Sequence, residues 1–488
     1  MSDPKRIHRG TQGRRAVVLG GGLAGMLAAA ALRGLADDIR VVENDELPES
    51  PAPRRGLPQA GHLHMMWSGG VHAAERLLPG VTESWLAAGA RRIPIPTGMV
   101  GFSSQGWFRR WQRETHFLIA CSRDLLDSVV RELVLADHRV RVLPRTRAEG
   151  LVGTASRVTG VRVREAGGRV RVLEADLVID ATGRGSRAPR YLAELGVTPP
   201  PERTVDPGMV YASRVFRAPE GADEFPVLTV QADARSGRPG QNATLLPIEG
   251  DRWLVTATGT RGGEPTGRAE DFAAFARGLR HPFIGDVISG LEPLSDVRLN
   301  RSTRNHRRFF ERMREWPERF VVIGDAVACF NPVYGHGMSV AAQSALALRE
   351  QATAGGILAP RFARRVQAAV ARPVSVAWDL ALGQDVFYPG VEGGAPTVRD
   401  RVLARYVDRL IKTSTGSFLM TREFTDVTSL QSPLSSLVGP RVLLAAAVGP
   451  HHPPLDGPPL TRRERALLAA AGAGTPGAAG AATAAELS

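Results

Sequence analysis

The sequence contains little cysteine and almost no lysine. Its 488 residues include 2 cysteines, Cys121 and Cys329, which stand far apart and outside any Cys-x-x-Cys pair or Cys/His cluster. This spacing excludes a disulfide framework and a zinc site, and it favours a reducing, cytoplasmic location. The only lysines are Lys5 and Lys412, so the basic character of the chain comes from arginine.

The distribution of charge argues against a nucleic-acid binder. The net charge is +13, but the arginines are interspersed with 49 acidic residues along the chain. Nucleic-acid binders usually concentrate their basic residues on one face or tail, beside stacking aromatics. The excess positive charge could instead attract an acidic carrier protein or an anionic substrate. With 43% hydrophobic residues, the chain has the composition of a globular protein, and its length predicts two or three structural units.

Hydrophobic runs long enough to cross a membrane are absent from the sequence. The apolar run most similar to a membrane-targeting segment is residues 16–32, which follow Arg14 and Arg15 and resemble a twin-arginine export signal. The run is shorter than the roughly 20 residues that span a bilayer. Its glycines also have a fixed spacing, so we assign it to the folded domain and predict no membrane span.

The same run contains a dinucleotide-binding fingerprint. Gly20, Gly22 and Gly25 follow an apolar strand at 15–19 and open a helix that begins with Leu23 and Ala24. In such a unit the first glycine permits a tight turn, the second lets backbone reach a pyrophosphate, and the third allows close helix packing. The helix N-terminus, with Leu23 and Ala24, then stabilises the bound anion.

An acid stands where this fingerprint requires one. Glu43 ends the next strand, 23 residues after Gly20, where it can accept hydrogen bonds from a ribose. An acid at this place favours an unphosphorylated ribose, and therefore FAD or NAD rather than NADP. Glycines in an Ala-rich helix could serve packing alone, but strand, helix and acid in register favour dinucleotide binding.

Two later segments choose between FAD and NAD. The string DATGRGS at 180–186 and the string GDAVACFNPVYGHGM at 324–338 each follow a strand. Singly, each could be an ordinary turn. Together and in this order, the three segments resemble the FAD-dependent monooxygenases of the para-hydroxybenzoate hydroxylase fold.

That resemblance implies an α/β fold and a set of cofactor contacts. The fold is a Rossmann-like FAD-binding domain with an inserted β-sheet substrate domain and C-terminal helices. Gly324 and Asp325 would lie by the ribityl and pyrophosphate groups, and the loop from 331 would lead into a helix whose amides face the flavin. The cofactor-binding candidates from these two segments are Asp180, Gly183, Gly324, Asp325, Pro332, Gly335, Gly337 and Met338.

A closer resemblance uses further strings of the chain. RGLPQAGHLH at 55–64 with Trp67, QGW at 105–107, SRDLLD at 122–127, PIEGDRW at 247–253 and NPVYGHGMS at 331–339 are similar as a set to the flavin epoxidases of polyether ionophore biosynthesis. The similarity runs from about residue 15 to about residue 445. It implies that Arg123 contacts FAD and that Arg55, Pro58 and Gln59 lie near the flavin.

By the same resemblance, reduced FAD combines with oxygen as a C4a-hydroperoxide that epoxidises alkenes of a linear polyketide, which arrives free or on a carrier protein. No protein nucleophile is needed, so we assign no catalytic acid or base. NAD(P)H would supply the electrons. The aromatic hydroxylases that bind NADPH directly usually carry Asp-Gly where this chain has Asp180 and Ala181, so a separate flavin reductase could deliver them.

Other functions remain as alternatives. The first is hydroxylation of an aromatic or polyketide substrate by the same chemistry, and a second is alkene reduction without oxygen. Halogenation is disfavoured, because halogenases of this fold rely on an active-site lysine and both lysines lie outside the flavin motifs. A non-catalytic dinucleotide-fold binding protein would need no flavin.

The histidines and tryptophans have two interpretations each. His62 and His64 share a face of an extended segment, but without a third ligand we predict no metal; structural hydrogen bonding or lining of the flavin pocket is the favoured interpretation. Trp67, Trp107 and Trp253 are candidates for the substrate pocket, although large aromatics are more often core.

The composition along the chain predicts a discontinuous arrangement of domains. Residues 1–13 form a flexible N-terminus, and 14–90, 118–207 and 300–360 form the FAD-binding domain. Residues 91–117 and 208–299 form the substrate domain, 361–448 a helical region, and 449–488 a disordered tail rich in Pro, Ala and Gly.

Overall fold

The computed structural model describes residues 13–301 and 303–472. The first part of the chain alternates strands and helices. In order these are β1 (Arg15–Leu19), α1 (Leu23–Leu32), β2 (Asp38–Val42), β3 (Met65–Trp67), α2 (Ser68–Leu77), α3 (Val81–Ala87), β4 (Arg91–Ile95), β5 (Met99–Ser103), β6 (Gly106–Trp107), β7 (His116–Ala120), α4 (Arg123–Leu135) and β8 (Val140–Leu143).

The middle of the chain consists mainly of strands. They are β9 (Arg147–Thr154), β10 (Arg157–Arg164), β11 (Val170–Glu174), β12 (Leu177–Asp180), β13 (Glu202–Val205), β14 (Val210–Arg217), β15 (Val227–Val230), β16 (Gln241–Ile248), β17 (Arg252–Gly259), β18 (Arg298–Asn300), β19 (Asn305–Arg308), β20 (Phe320–Val322) and β21 (Ala328–Cys329). Three short helices interrupt them: α5 (Ala188–Glu194), α6 (Asp271–Arg277) and α7 (Phe283–Ile288).

The last part is helical. Its helices are α8 (Gly337–Gly355), α9 (Phe362–Asp385), α10 (Val398–Ser414), α11 (Phe418–Thr428), α12 (Pro440–Val448) and α13 (Arg462–Ala470). None of the helices in the described part of the chain combines the length and apolar composition that crossing a bilayer requires.

A five-stranded parallel sheet forms the centre of the nucleotide-binding part. Its strand order is β20-β12-β1-β2-β8. β1, β12 and β20 are mainly apolar and almost fully buried, as expected of parallel strands that helices cover. α1, for example, is buried along almost its whole length between the sheet and α8. This arrangement brings the ends of β1, β2, β12 and β20 to one edge, and it confirms the expected α/β fold.

A second sheet is built from two distant segments of the chain. Its order is β18-β14-β17-β16-β15-β5-β6, and the β15–β5 pair is parallel while its other pairs are antiparallel. Most of these strands come from the segments that we predict as the substrate domain. β4, from the start of the first segment, instead joins β7 and β3 in a separate small sheet.

The predicted disordered tail is wrong for residues 449–472. Thr461 and Glu464 form a capping box at the start of α13, and Leu460 and Leu468 pack into the core of the second sheet. Glu464 also accepts a 2.6 Å hydrogen bond from Arg110. A short helix with one apolar face needs few large residues, so the Ala-rich composition concealed it. The remaining tail, 473–488, and the N-terminal residues 1–12 lie outside the described residues.

Candidate flavin site

A cavity of about 810 Å³ lies at the carboxyl edge of the parallel sheet. Open α/β sheets bind ligands at this edge, because loops and helix N-termini meet there. The walls come from the turn after β1, the end of β2, the segment before β3, the turn after β12 and the loop before α8. The three sequence segments that predict flavin binding therefore meet in space.

The turn after β1 divides the fingerprint residues into two roles. Gly20, Gly22, Leu23 and Ala24 line the cavity. A Cβ on Gly22 would meet no protein atom within 4 Å, so the space beside it is open to a ligand. Gly25 is not at the cavity; its Cβ would lie 1.8 Å from the carbonyl oxygen of Gly20. Gly25 therefore serves the close packing of α1 and makes no direct ligand contact.

The carboxylate of Glu43 is held by three groups at the cavity wall. It accepts hydrogen bonds from the amides of Gly21 (2.7 Å) and Asp45 (2.9 Å), and it pairs with Arg54 at 2.9 Å. Arg54 lines the cavity, whereas Arg55 is exposed and does not. The prediction of Arg55 as the cofactor contact is wrong. The chain enters a turn at Arg55, and of this pair only Arg54 contacts the cavity wall.

Asp180 does not face the cavity. Its fully buried carboxylate accepts hydrogen bonds from the amide (2.9 Å) and hydroxyl (2.6 Å) of Thr182 and from the hydroxyl of Ser186 (2.8 Å). Burial raises the pKa of Asp180. The expected cofactor contact is therefore corrected to a supporting role: Asp180 shapes the turn whose Gly183, at φ +74°, lines the cavity.

The turn after β20 presents a second acid. Gly324 has φ +62°, and its Cβ would lie 2.9 Å from that of Ala24, so it permits close packing without lining the cavity. Asp325 does line the cavity, and burial raises its pKa. Among the described residues, no group makes a hydrogen bond to the Asp325 carboxylate. It is available to accept hydrogen bonds from ligand hydroxyls.

The loop before α8 forms the far wall. Pro332, Gly335, Gly337 and Met338 all line the cavity, and α8 starts at Gly337, so the positive end of its dipole faces inward. Trp67 lies behind this wall, with Nε1 3.2 Å from the place of a Cβ on Gly335. The structure thus brings Trp67 beside the loop but not into the cavity.

Two neutral histidines stand at the same end. His62 and His64 line the cavity, and burial lowers the pKa of His62 to about 4 and that of His64 to about 3. Nearby Arg298 and Arg123 add to this effect. The Nδ1 of His62 lies 2.8 Å from the Ser213 hydroxyl, and the Nδ1 of His64 donates to the carbonyl of His62 at 2.9 Å. At pH 7 both rings are uncharged hydrogen-bonding groups.

Arg123, Pro58 and Gln59 lie where the resemblance implies, on the cavity wall. Arg123 is the first residue of α4, after the N-cap Ser122, and its Nε donates to Asp127 at 2.7 Å. This i,i+4 pair fixes the guanidinium at the wall.

All three predicted substrate-pocket tryptophans belong to the hydrophobic core, and Trp67 is 8% exposed. Trp253 is 1% exposed and stacks on Phe225 with ring centroids 4.5 Å apart. Trp107 is 3% exposed and contacts His281 at 4.8 Å between centroids. Neither lines the cavity. The structure therefore places none of the three predicted tryptophans at the cavity, and the rings of Trp107 and Trp253 pack in the core of the second sheet.

Sequence reasoning missed several lining residues. Arg54 could have been found as the other half of the Arg54–Arg55 pair. Tyr211, on β14, and Tyr191, on α5, reach the cavity only through the tertiary arrangement. No local pattern distinguishes them from core aromatics.

Comparison with known proteins agrees with this geometry. A family model described as an FAD binding domain matches residues 14–352, more than half of the chain. The chain belongs to this FAD binding domain family. Protein Rv3254 of Mycobacterium tuberculosis is 31% identical over 345 residues, which cover 68% of this chain and 72% of that protein. Kynurenine 3-monooxygenase of Salinispora arenicola is 27% identical over 409 residues, covering 80% and 84%.

A solved structure shows the same fold. A flavoprotein/dehydrogenase from Cytophaga hutchinsonii has a TM-score of 0.63 at 14% identity, covering 88% of this chain and 96% of that chain. The family match agrees with the FAD cofactor that the sequence predicts.

The cavity residues fit FAD in three respects. The open side of Gly22 leaves room for a pyrophosphate at the start of α1. The carboxylate of Asp325, which has no hydrogen-bond partner within the described part of the chain, matches the hydroxyls of a ribityl chain, and Glu43 is the acid expected beside a ribose. The start of α8, at Gly337, supplies positive potential for an electron-rich ring edge.

Proposed function

We propose that this protein is an FAD-dependent monooxygenase that epoxidises one or more alkenes of a linear polyketide of the polyether-precursor type. The observation that carries the proposal is a juxtaposition of two sequence strings. Pro58, Gln59 and His64 of the first string line the same cavity as Pro332 and Met338 of the second. These are the two most specific strings in the resemblance to the polyether epoxidases.

FAD, when bound, supplies the activation of dioxygen and the transfer of one oxygen atom to the substrate. The protein supplies binding and charge stabilisation. Arg123 and the start of α8 place positive potential at the cavity, while Asp325 and Glu43 offer acceptors to cofactor hydroxyls. The loop before α8, half-buried at Pro332 and Gly335, forms part of the surface against which a bound flavin would rest.

The uncharged side chains that line the cavity around the segment before β3 support an alkene substrate. His62 and His64 have pKa values far below 7, and the neighbouring Leu63, Met65 and Phe330 are apolar. Oxygen addition to an alkene removes no proton from the substrate, so the wall needs shape and dryness more than a charged base. A hydrocarbon chain also gains free energy by leaving water for such a surface.

Hydroxylation of an aromatic or polyketide substrate is the second candidate. The similarity to kynurenine 3-monooxygenase favours it. It uses the same cofactor and differs in requiring loss of a substrate proton, for which His62 and His64, with pKa values of about 4 and about 3, are weak acceptors.

Isotope labelling tests the proposal. The reduced holoenzyme is mixed with ¹⁸O₂ and a linear polyketide that contains a trisubstituted alkene, and the product is analysed by mass spectrometry. We expect an epoxide that carries one ¹⁸O; the matched control, unlabelled oxygen in H₂¹⁸O, should give unlabelled epoxide. An oxygen atom that comes from water contradicts the proposal. Stimulation of NAD(P)H consumption by phenols but not by isolated alkenes would favour hydroxylation.

The electron source and partners are further proposals. We propose NAD(P)H as the reductant, acting directly or through a separate flavin reductase, a carrier-bound or free substrate, and a cytoplasmic location. Ala181, which replaces the glycine of the NADPH-binding hydroxylases, lines the cavity. Anaerobic mixing of holoenzyme with NADPH tests whether the protein accepts electrons directly. Bleaching of the oxidised flavin without a reductase shows direct transfer.

A further inference from the structure

A buried polar cluster lies behind the loop that precedes α8. At its centre is Asp385, the last residue of α9, which is 0% exposed and lies beyond the segment 14–352 that the family model matches. Its carboxylate accepts three hydrogen bonds: from the hydroxyl of Tyr334 at 2.5 Å, from Nδ2 of Asn305 at 2.6 Å and from Nδ2 of Asn331 at 3.0 Å.

The two asparagines complete the cluster. Oδ1 of Asn305 accepts a hydrogen bond from the amide of Asn331 at 2.7 Å. Oδ1 of Asn331 accepts from the hydroxyl of Tyr211 at 2.7 Å and from the amide of Val333 at 3.4 Å. The loop is therefore fixed at Asn331 and at Tyr334, and through Tyr211 it is tied to the second sheet.

The chemistry of the cluster requires an acceptor at position 385. Tyr334, Asn305 and Asn331 all point donors at this side chain, and only an ionised carboxylate has acceptor sites for all three without bringing a donor of its own. Burial raises the pKa of Asp385 to about 6, and the hydrogen bonds from Tyr334, Asn331 and Asn305 oppose that rise by favouring the charged form. A buried charge is costly to keep, and its three donors offset that cost.

The cluster lies directly behind the cavity wall. Asn331 itself lines the cavity, as do Pro332 and Gly335 on either side of Tyr334, and Tyr211 lines it from the second sheet. Gly335 adopts φ +67°, which leads the chain into the start of α8. A displacement of the loop at 331 and 334 therefore moves the wall against which the flavin would rest.

We infer that Asp385 is a positioning residue that fixes the 331–335 loop in the conformation required to bind the flavin. The inference goes beyond the proposed reaction: it rests on FAD occupying the cavity and is independent of the substrate. Asp385 acts through Asn331 and Tyr334, and it is not itself at the cavity surface.

The experiment compares three variants of the full-length protein. Asp385→Asn replaces part of the acceptor by a donor that faces other donors. Tyr334→Phe removes a single hydrogen bond and keeps the carboxylate. Asp379→Asn makes the same chemical change at an exposed position one and a half turns earlier on α9 and serves as the matched control. Each is titrated with FAD at pH 7, and the absorption spectrum of the bound flavin is recorded.

We expect Asp385→Asn to raise the dissociation constant for FAD at least tenfold and to shift the absorption bands of the flavin that remains bound. Tyr334→Phe should raise the constant about threefold with a smaller shift of the same kind, and Asp379→Asn should match the wild type. A purely structural role would lower the amount of folded protein but leave the spectrum of bound flavin unchanged.

Wild-type affinity and spectrum in a folded Asp385→Asn variant would overturn the inference. If that variant does not fold, Tyr334→Phe decides: wild-type affinity and an unshifted spectrum there also overturn it. A wild-type protein that binds FAD but makes no epoxide contradicts the proposed reaction and leaves this inference intact, so the two failures are distinguishable.

Discussion

Alanine substitutions at Gly22 and Gly25 should separate cofactor binding from folding within one turn. A Cβ at Gly22 meets no protein atom within 4 Å and the residue has φ −78°, so alanine is accommodated without strain. A Cβ at Gly25 lies 1.8 Å from the carbonyl oxygen of Gly20, whereas a relaxed contact needs about 3.5 Å. The first variant fills ligand space, and the second forces the backbone apart.

Gly22→Ala should mainly weaken FAD binding, whereas Gly25→Ala should mainly lower the free energy of unfolding. Gly22→Ala should lower the free energy of unfolding of the apoprotein by about 1 kcal/mol or less, the cost of a poorer N-cap. Its dissociation constant for FAD should rise at least tenfold, about 1.4 kcal/mol, because the methyl group occupies the space of the pyrophosphate. Gly25→Ala should lower the free energy of unfolding by about 3 kcal/mol, the upper end of overpacking costs.

Urea unfolding of the apoproteins and fluorescence titration with FAD measure the two quantities. Gly383→Ala is the matched control, because its Cβ also meets nothing within 4 Å but lies on α9, away from the cavity. It should leave FAD affinity unchanged and stabilise the helix slightly. Unaltered FAD affinity in Gly22→Ala would refute the placement of the cofactor at this turn.

Three further outcomes follow from buried groups. Arg54→Met should lower the free energy of unfolding by about 1–3 kcal/mol in urea, because it leaves the buried carboxylate of Glu43 without its cation; no loss would show that the pair is unimportant. His336 has a pKa lowered to about 4 by burial, so the folded state resists protonation and stability is lost as pH falls from about 7 towards 4. Between pH 7 and pH 5, wild type should lose about 2 kcal/mol more than His336→Gln in urea titrations, and equal losses would contradict the shift. Trp253→Ala should lower the free energy of unfolding by about 3–5 kcal/mol, measured by calorimetry, and leave the FAD affinity of the folded protein unchanged. A large change in FAD affinity would show that Trp253 belongs to the cofactor site.

The sequence predicted those parts of the site that depend on local spacing. Gly20, Gly22 and Glu43 are separated by a turn, a helix and a strand of standard length, so their meeting at one edge follows from the strand-turn-helix geometry. The same holds for Asp325 and for Gly337, because each stands directly after a buried strand or at a helix start. These residues line the cavity as expected.

The sequence did not predict contacts that depend on side-chain direction or on distant segments. Which of Arg54 and Arg55 faces inward depends on the turn that begins at Arg55 and on the pairing of Arg54 with Glu43. Asp180 has the position of a ligand-binding acid, but its carboxylate accepts hydrogen bonds from Thr182 and Ser186 of its own turn. Asp385 lies at the end of a long helix, and only the tertiary fold brings it 2.6 Å from Asn305, 80 positions earlier.

A crystal structure of the protein with FAD tests the central assignment most directly. We expect electron density for FAD in the cavity at the carboxyl edge of the parallel sheet. The pyrophosphate should lie beside Gly22, the ribose near Glu43, and the isoalloxazine against Pro332 and Met338. FAD bound at another place, or an empty cavity in crystals grown with saturating FAD, would contradict the assignment.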